Sequence, residues 1–132
     1  MAEESYPQDL KYSREHDWVR VEGGEAVMGV TWFAQNALTD VVFAELPEPG
    51  TALAAGEPYG VLESVKVPAD VYAPVGGTVV ALNEALATDP GLVNTDPYGA
   101  GWLVRVTLSG VTELETLMDA EAYQRFLAEA GG

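Results

Sequence analysis

Gly60-Val61-Leu62-Glu63-Ser64-Val65-Lys66-Val67-Pro68-Ala69-Asp70-Val71-Tyr72-Ala73-Pro74 decides the fold of this chain. An apolar run leads into a turn that begins near Lys66, and a second run follows, closed by Pro74 and the Gly76-Gly77 pair. The pattern predicts a β-hairpin with a lysine at its tip. That lysine is scarce: six basic residues stand against 21 acidic ones, and only Lys11 and Lys66 are lysines. Lysine is ordinarily among the commonest residues, so one kept at a hairpin tip is a candidate for a specific role. A primary amine on a flexible stem can be acylated, which turns the side chain into a longer arm. The plain alternative is a solvated turn lysine, and spacing alone leaves both open.

Outward from the hairpin, the chain reads as mainly β with short helices. Trp18 to Glu22 alternates, Gly23-Gly24 turns, and Ala26 to Val30 returns, which predicts a second hairpin. Thr31 is placed to cap a helix over Trp32 to Leu38, with Ala34, Ala37 and Leu38 on one face. Val41 to Leu46 predicts a strand stopped by Pro47-Glu48-Pro49-Gly50. Strands are expected at Tyr59 to Val65, Val71 to Ala73 and Thr78 to Leu82, with Pro68 barring extension of the ladder beside the lysine turn. Asn83 can cap a turn through Ala87, and Asn94 to Gly101 reads as loop. Trp102 to Leu108 alternates as a strand, and Thr112 with Glu115 has the form of a capping box. Asp119 starts a C-terminal helix over Ala120 to Ala130, with Tyr123, Phe126 and Leu127 at helical spacing. Residues 1–9 are expected as a flexible tail and residues 10–130 as a single domain. Pro47, Gly50, Thr51 and Ala54 recur as Pro74, Gly77, Thr78 and Ala81, a weak repeat with Lys66 between its copies.

The 132 residues carry a net charge of −15, which disfavours nucleic acid phosphates and anionic lipid as partners. There are no cysteines, so neither a disulfide framework nor a thiolate metal site is expected. No apolar run approaches a membrane span. Met1-Ala2-Glu3-Glu4 lacks the basic start of a signal peptide, so a cytoplasmic, bacterial-type protein is expected. His16 is the only histidine, which gives poor support to a histidine metal site or a Ser-His-Asp triad; a surface or strand-edge histidine is expected. Neither a Walker-type nor a dinucleotide-type glycine loop occurs.

Glu63-Ser64-Val65-Lys66, followed by Asp70-Val71-Tyr72-Ala73-Pro74-Val75 and Gly77, resembles the lipoyl-attachment segment of the glycine cleavage system H proteins. Further blocks resemble that family in the same order: Leu10-Lys11-Tyr12, His16-Asp17-Trp18-Val19, Val42-Phe43 with Glu45-Leu46-Pro47, Val93-Asn94 with Asp96-Pro97-Tyr98-Gly99, Gly101-Trp102, and Leu117 to Tyr123. The chain departs from the family at Val67-Pro68-Ala69, where Ala-x-Ser is common, and at Asp17, where glutamate is usual.

The resemblance implies a lipoyl-type β-sandwich (a barrel-sandwich hybrid) with added helices, and a carrier without catalysis of its own. Lipoate would be attached to Lys66, while Glu63, Asp70 and Asp17 would serve as recognition or arm-sheltering contacts. The implied cycle has four partners. A pyridoxal-phosphate glycine decarboxylase loads the aminomethyl group, an aminomethyltransferase passes the one-carbon unit to tetrahydrofolate, dihydrolipoamide dehydrogenase reoxidises the arm, and a lipoate-attaching enzyme installs it. Two alternatives share the lysine hairpin: an H-like lipoyl relay for other lipoate-dependent enzymes, and a biotinyl carrier. The biotinyl family has methionines flanking its lysine, where this chain has Val65 and Val67.

Overall fold

The computed structural model describes residues 3–109 and 112–129. In chain order its strands are β1 (Lys11–Tyr12), β2 (Asp17–Glu22), β3 (Glu25–Val30), β4 (Val41–Glu45), β5 (Ala52–Leu53), β6 (Pro58–Ser64), β7 (Pro68–Tyr72), β8 (Gly77–Leu82) and β9 (Val104–Leu108). The helices are α1 (Trp32–Leu38), α2 (Leu92–Thr95) and α3 (Ala120–Glu129), with 3-10 turns at Glu84–Ala87 and Thr112–Thr116. One antiparallel sheet has the order β1-β2-β3-β9-β8-β5 and the other the order β4-β6-β7. Buried Met28, Val79, Val104 and Val106 of the first pack with Val41, Leu62 and Val71 of the second in one core. Burial of these apolar side chains, worth about 1.5–3 kcal/mol each, joins the sheets into one sandwich.

A second apolar cluster seats α3. Tyr12, Trp18, Val27, Tyr123 and Leu127 are buried together, and the rings of Tyr12 and Tyr123 stack at 4.8 Å. Trp18 lies against Gly29, where a Cβ would stand 2.8 Å from the indole, so only glycine admits this ring. Its indole N–H donates to the Pro97 carbonyl at 3.0 Å. The local signals hold at the helix starts. Thr31 Oγ1 accepts from the Ala34 N–H, Asn83 Oδ1 from Ala85 and Asp119 Oδ1 from Ala122.

Several expectations are corrected. The tail over 1–9 is tied down from Ser5: the Tyr98 and Tyr12 hydroxyls donate to the Ser5 and Pro7 carbonyls at 2.7 and 2.6 Å. Tyr6 meets Tyr123 edge-on at 5.5 Å. On α1 the inward face is Ala34, Gln35 and Leu38, while Ala37 is exposed. Strand β9 begins two residues later than expected, because Leu103 and Val104 are both fully buried and break the alternation. Strand β7 begins at Pro68, three residues earlier than expected, with Pro68 opposite Glu63. Proline is tolerated as the first residue of an edge strand. Strands β1 and β5 were not foreseen, and the Thr112 side chain, on which the capping box rests, lies outside the described residues. The two copies of the weak repeat pair with one another: Ala52 faces Thr78 and Leu53 faces Gly77.

Asn94, expected in a loop, is helical and buried. Its Oδ1 accepts the Val41 N–H at 2.9 Å, and its Nδ2 donates to Gln35 Oε1 at 3.1 Å and to the Thr39 carbonyl at 2.7 Å. Gln35, itself fully buried, donates back to the Trp32 carbonyl. One amide therefore fixes the end of α1 and the start of β4. Asn94→Ala leaves three groups without it, two buried and one part-buried, and unsatisfied buried groups cost about 1–3 kcal/mol each. Urea unfolding should show a loss of roughly 3 kcal/mol; a loss below about 1 kcal/mol would show that the network is not holding this corner.

Candidate functional site

The β6–β7 hairpin carries Lys66 at its tip, and Ser64 organises the turn. Its hydroxyl donates to the Val67 carbonyl at 2.9 Å and accepts the N–H groups of Lys66 and Val67, both at 3.1 Å. The backbone adds Ser64 N–H to the Val67 carbonyl at 3.2 Å and Val65 N–H to the Asp40 carbonyl at 3.0 Å. Serine in a turn does this through its short hydroxyl. Its place two residues before Lys66 was a readable signal that the hydrophobic pattern hides. Lys66 itself is exposed, and among the described residues its amine has no hydrogen-bond or ion-pair partner.

Registers define the outer face below the tip. Phe43, Glu63 and Pro68 form one cross-strand row, and Glu45, Val61 and Asp70 form the next. The structure thus brings Glu63 and Asp70 onto the hairpin that presents Lys66, on one face, and both are exposed. Neither carboxylate has an ion-pair partner among the described residues. A bulge at Val42, between the pairs Val41–Ser64 and Phe43–Glu63, leaves both Val42 and Phe43 facing solvent. A groove of about 570 Å³ opens beside Phe43, between β4 and the Val80–Ala87 segment, lined by Leu46, Leu82 and Leu86.

Asp17 does not join this group, contrary to expectation. It is 1% exposed, and Oδ2 accepts the Tyr59 hydroxyl at 2.8 Å, while Oδ1 has no hydrogen-bond partner among the described residues. Tyr59 lies near the base of β6, and five strand steps of about 3.3 Å put Ser64 roughly 17 Å beyond it. Burial pushes the Asp17 carboxyl well above the usual carboxylate range, and the Tyr59 hydroxyl and the nearby Tyr72 backbone N–H offset this only in part. The Tyr59 hydroxyl is pushed up as well, by burial first and then by the adjacent carboxyl. No sequence pattern announces this pair, whose members are 42 residues apart.

His16 stands at the N-terminal end of strand β2, as the strand-edge reading expected, and is half-buried beneath α3. Its Nδ1 shares a 2.7 Å hydrogen bond with the Tyr123 hydroxyl, and its ring lies 4.6 Å from that of Phe33. Burial pushes its pKa down. Its backbone is left-handed, φ 72°, where the turn meets β2. Among the described residues no group of three or more acidic or histidine side chains is placed to hold a metal ion.

Two sheets closed over one core, with an unpartnered lysine on a protruding hairpin, define a lipoyl-type carrier domain. Residues 10–130 match the model of the glycine cleavage H-protein family. A glycine cleavage system H protein of Symbiobacterium thermophilum is 53% identical over 123 residues, covering 93% of this chain and 96% of the relative. One of Carboxydothermus hydrogenoformans is 50% identical over 125 residues, covering 95% and 96%. The crystal structure of a glycine cleavage system H protein from Mycobacterium marinum matches with a TM-score of 0.82 at 36% identity, covering 96% and 99%. The chain belongs to the glycine cleavage H-protein family. Its role is that of a lipoyl carrier in the glycine cleavage system, a subunit without catalysis of its own.

The buried Asp17 generates a pH dependence. Its folded pKa lies above the unfolded value of about 3.9. Between the two values the unfolded chain holds fewer protons, so this group's contribution to stability falls as pH rises through that window. Asp17→Asn keeps an acceptor for Tyr59 and removes the charge. The unfolding midpoint of the variant relative to the parent should therefore be higher at pH 7 than at pH 4. A difference that does not change with pH would refute the assignment of a raised pKa.

Proposed function

We propose that Lys66 is the lipoylated residue, joined through an amide at Nζ, and that the chain shuttles the aminomethyl group of glycine on that arm. The observation that carries this reading is the Lys66 amine, exposed at the tip of a two-stranded projection and unpartnered among the described residues. An amine so placed fits a covalent arm that several enzymes must reach. When bound, the dithiolane supplies the sulfur chemistry that takes up and releases the one-carbon unit and is reoxidised afterwards.

The chain's own residues act on presentation. Ser64 clamps the turn from both sides of Lys66, and Asp40, just before β4, holds Val65, so the stem springs from a fixed point. Glu63 and Asp70 lie on the face below it and are the recognition or arm contacts in this reading. The partners are a pyridoxal-phosphate glycine decarboxylase, a tetrahydrofolate-dependent aminomethyltransferase, dihydrolipoamide dehydrogenase and a lipoate-attaching enzyme. Among the described residues no helix is long and apolar enough to cross a membrane. The bacterial relatives support placing the cycle in the cytoplasm.

Incubation with lipoate, ATP and a lipoate–protein ligase should add a single lipoyl mass, mapped to the peptide containing Lys66. Lys66→Arg should gain none, because the guanidinium does not take the amide. Added mass on Lys11, or on the Arg variant, would end the assignment. Lys66→Ala should abolish carrier activity and change stability by less than about 0.5 kcal/mol. Loss of cooperative unfolding in that variant would make the lysine structural.

A further inference from the structure

Six large apolar side chains stand exposed among the described residues, and four of them gather at the Lys66 end of the three-stranded sheet: Val42 (53%), Phe43 (51%), Val65 (64%) and Val67 (54%). A regular strand would turn one of Val42 and Phe43 inward; the bulge turns both out. The Val41–Ser64 pair and the bond from Val65 to the Asp40 carbonyl set this bulge directly beside the lysine turn. Asp40 and Glu63 flank it, exposed and without ion-pair partners among the described residues. The result is an apolar collar edged by acid around one modifiable amine. Neither the core nor the turn requires Val42 or Phe43 to be apolar.

We propose that this collar is the docking surface for the enzyme that acylates Lys66, and that the partner's surface is apolar at its centre and basic at its rim. The proposal rests on Lys66 being the attachment site. Reach selects the partner. In the acylation, the deprotonated Nζ attacks the carbonyl of an acyl adenylate made from the acid and ATP; the C–N bond forms, AMP leaves, and Nζ loses a proton. The acylating enzyme therefore has to come within one lysine side chain of the tip, and its body covers Val65, Val67 and the adjoining bulge. Enzymes that act at the far end of the finished arm stand further out. The unpaired acids Asp40 and Glu63 complement a basic rim and disfavour an acidic one.

The test is the double variant Val42→Ser, Phe43→Ser, both sites being exposed and outside the acceptor residue itself. With ATP, lipoate and a lipoate–protein ligase, acylation followed by intact mass should show KM for the carrier raised about tenfold or more. Its kcat and the thermal unfolding midpoint should stay close to the parent's. The variant, once fully lipoylated by long incubation, should be turned over by dihydrolipoamide dehydrogenase within about twofold of the lipoylated parent. An unchanged KM for acylation would overturn the proposal. Unchanged acylation with slowed turnover of the finished arm would assign the collar to a different partner and overturn it too. A parent chain that gains no mass would instead remove the reading of Lys66 on which the proposal stands. A lowered unfolding midpoint would show that the bulge serves the fold, and would overturn the claim that its side chains are there for a partner.

Discussion

The buried amide of Asn94 is the constraint on which the presenting end of the molecule depends. A helix end and a strand start meet at Thr39 to Val41, and buried backbone groups there must find partners. Asn94 supplies them, accepting from Val41 and donating to Thr39, while Gln35 takes its remaining N–H. Thr39 has a positive φ, 61°, uncommon for a residue with a Cβ, and this bonding holds it. The corner also places Asp40, whose carbonyl receives Val65. A side chain far from Lys66 in sequence thus fixes the strand that braces its turn.

Rigidity behind the lysine and freedom at its amine are complementary requirements. A carrier gains from a stem whose origin does not wander, since each partner must find the arm in a predictable place. Strand β6 is paired on both sides, by β4 and β7, and the turn is closed by the Ser64 hydroxyl. Strands β4 and β7 are the edges of this sheet, and edges invite pairing with other chains. Pro68 at the first position of β7 offers no N–H for such pairing, and the acidic Asp70 follows two residues later. The departure from Ala-x-Ser at 67–69 therefore leaves the ladder intact and blunts its open edge.

What the sequence made legible follows how far each interaction reaches along the chain. The lysine hairpin, with Glu63 and Asp70 beside Lys66, lies within one short segment, and the caps at Thr31, Asn83 and Asp119 act over two or three residues. Each is written in neighbouring letters. Asp17 and Asn94 are different, because their partners lie 42 and 53 residues away. An acid beside a histidine, and an asparagine among turn residues, look like surface in one dimension and become core only when two sheets close. Strands β1 and β5, at two residues each, are too short to show a period. The bulge at Val42 exists only as a register between β4 and β6, so the apolar run 41–46 gave the strand but not the side chains it exposes.

The distribution of positive charge adds a last step. Arg20 and Arg105 are engaged by Glu22 and Glu25 across β2, β3 and β9; Arg125 pairs with Glu121 along α3, and Arg14 lies 5.4 Å from the Phe126 ring. Such exposed pairs add little stability, about 0–1 kcal/mol each, so their effect lies more in where they leave the field unbalanced. Lys11 is on β1, and Lys66, in the turn between β6 and β7, is the one basic residue of the six in the β4, β6 and β7 strands or the hairpin turn that joins β6 to β7. Acylation of its amine, as proposed, would remove that charge and leave Asp40, Glu45, Glu63 and Asp70 without a cation among them. Acids gathered at this end favour partners that present basic surface.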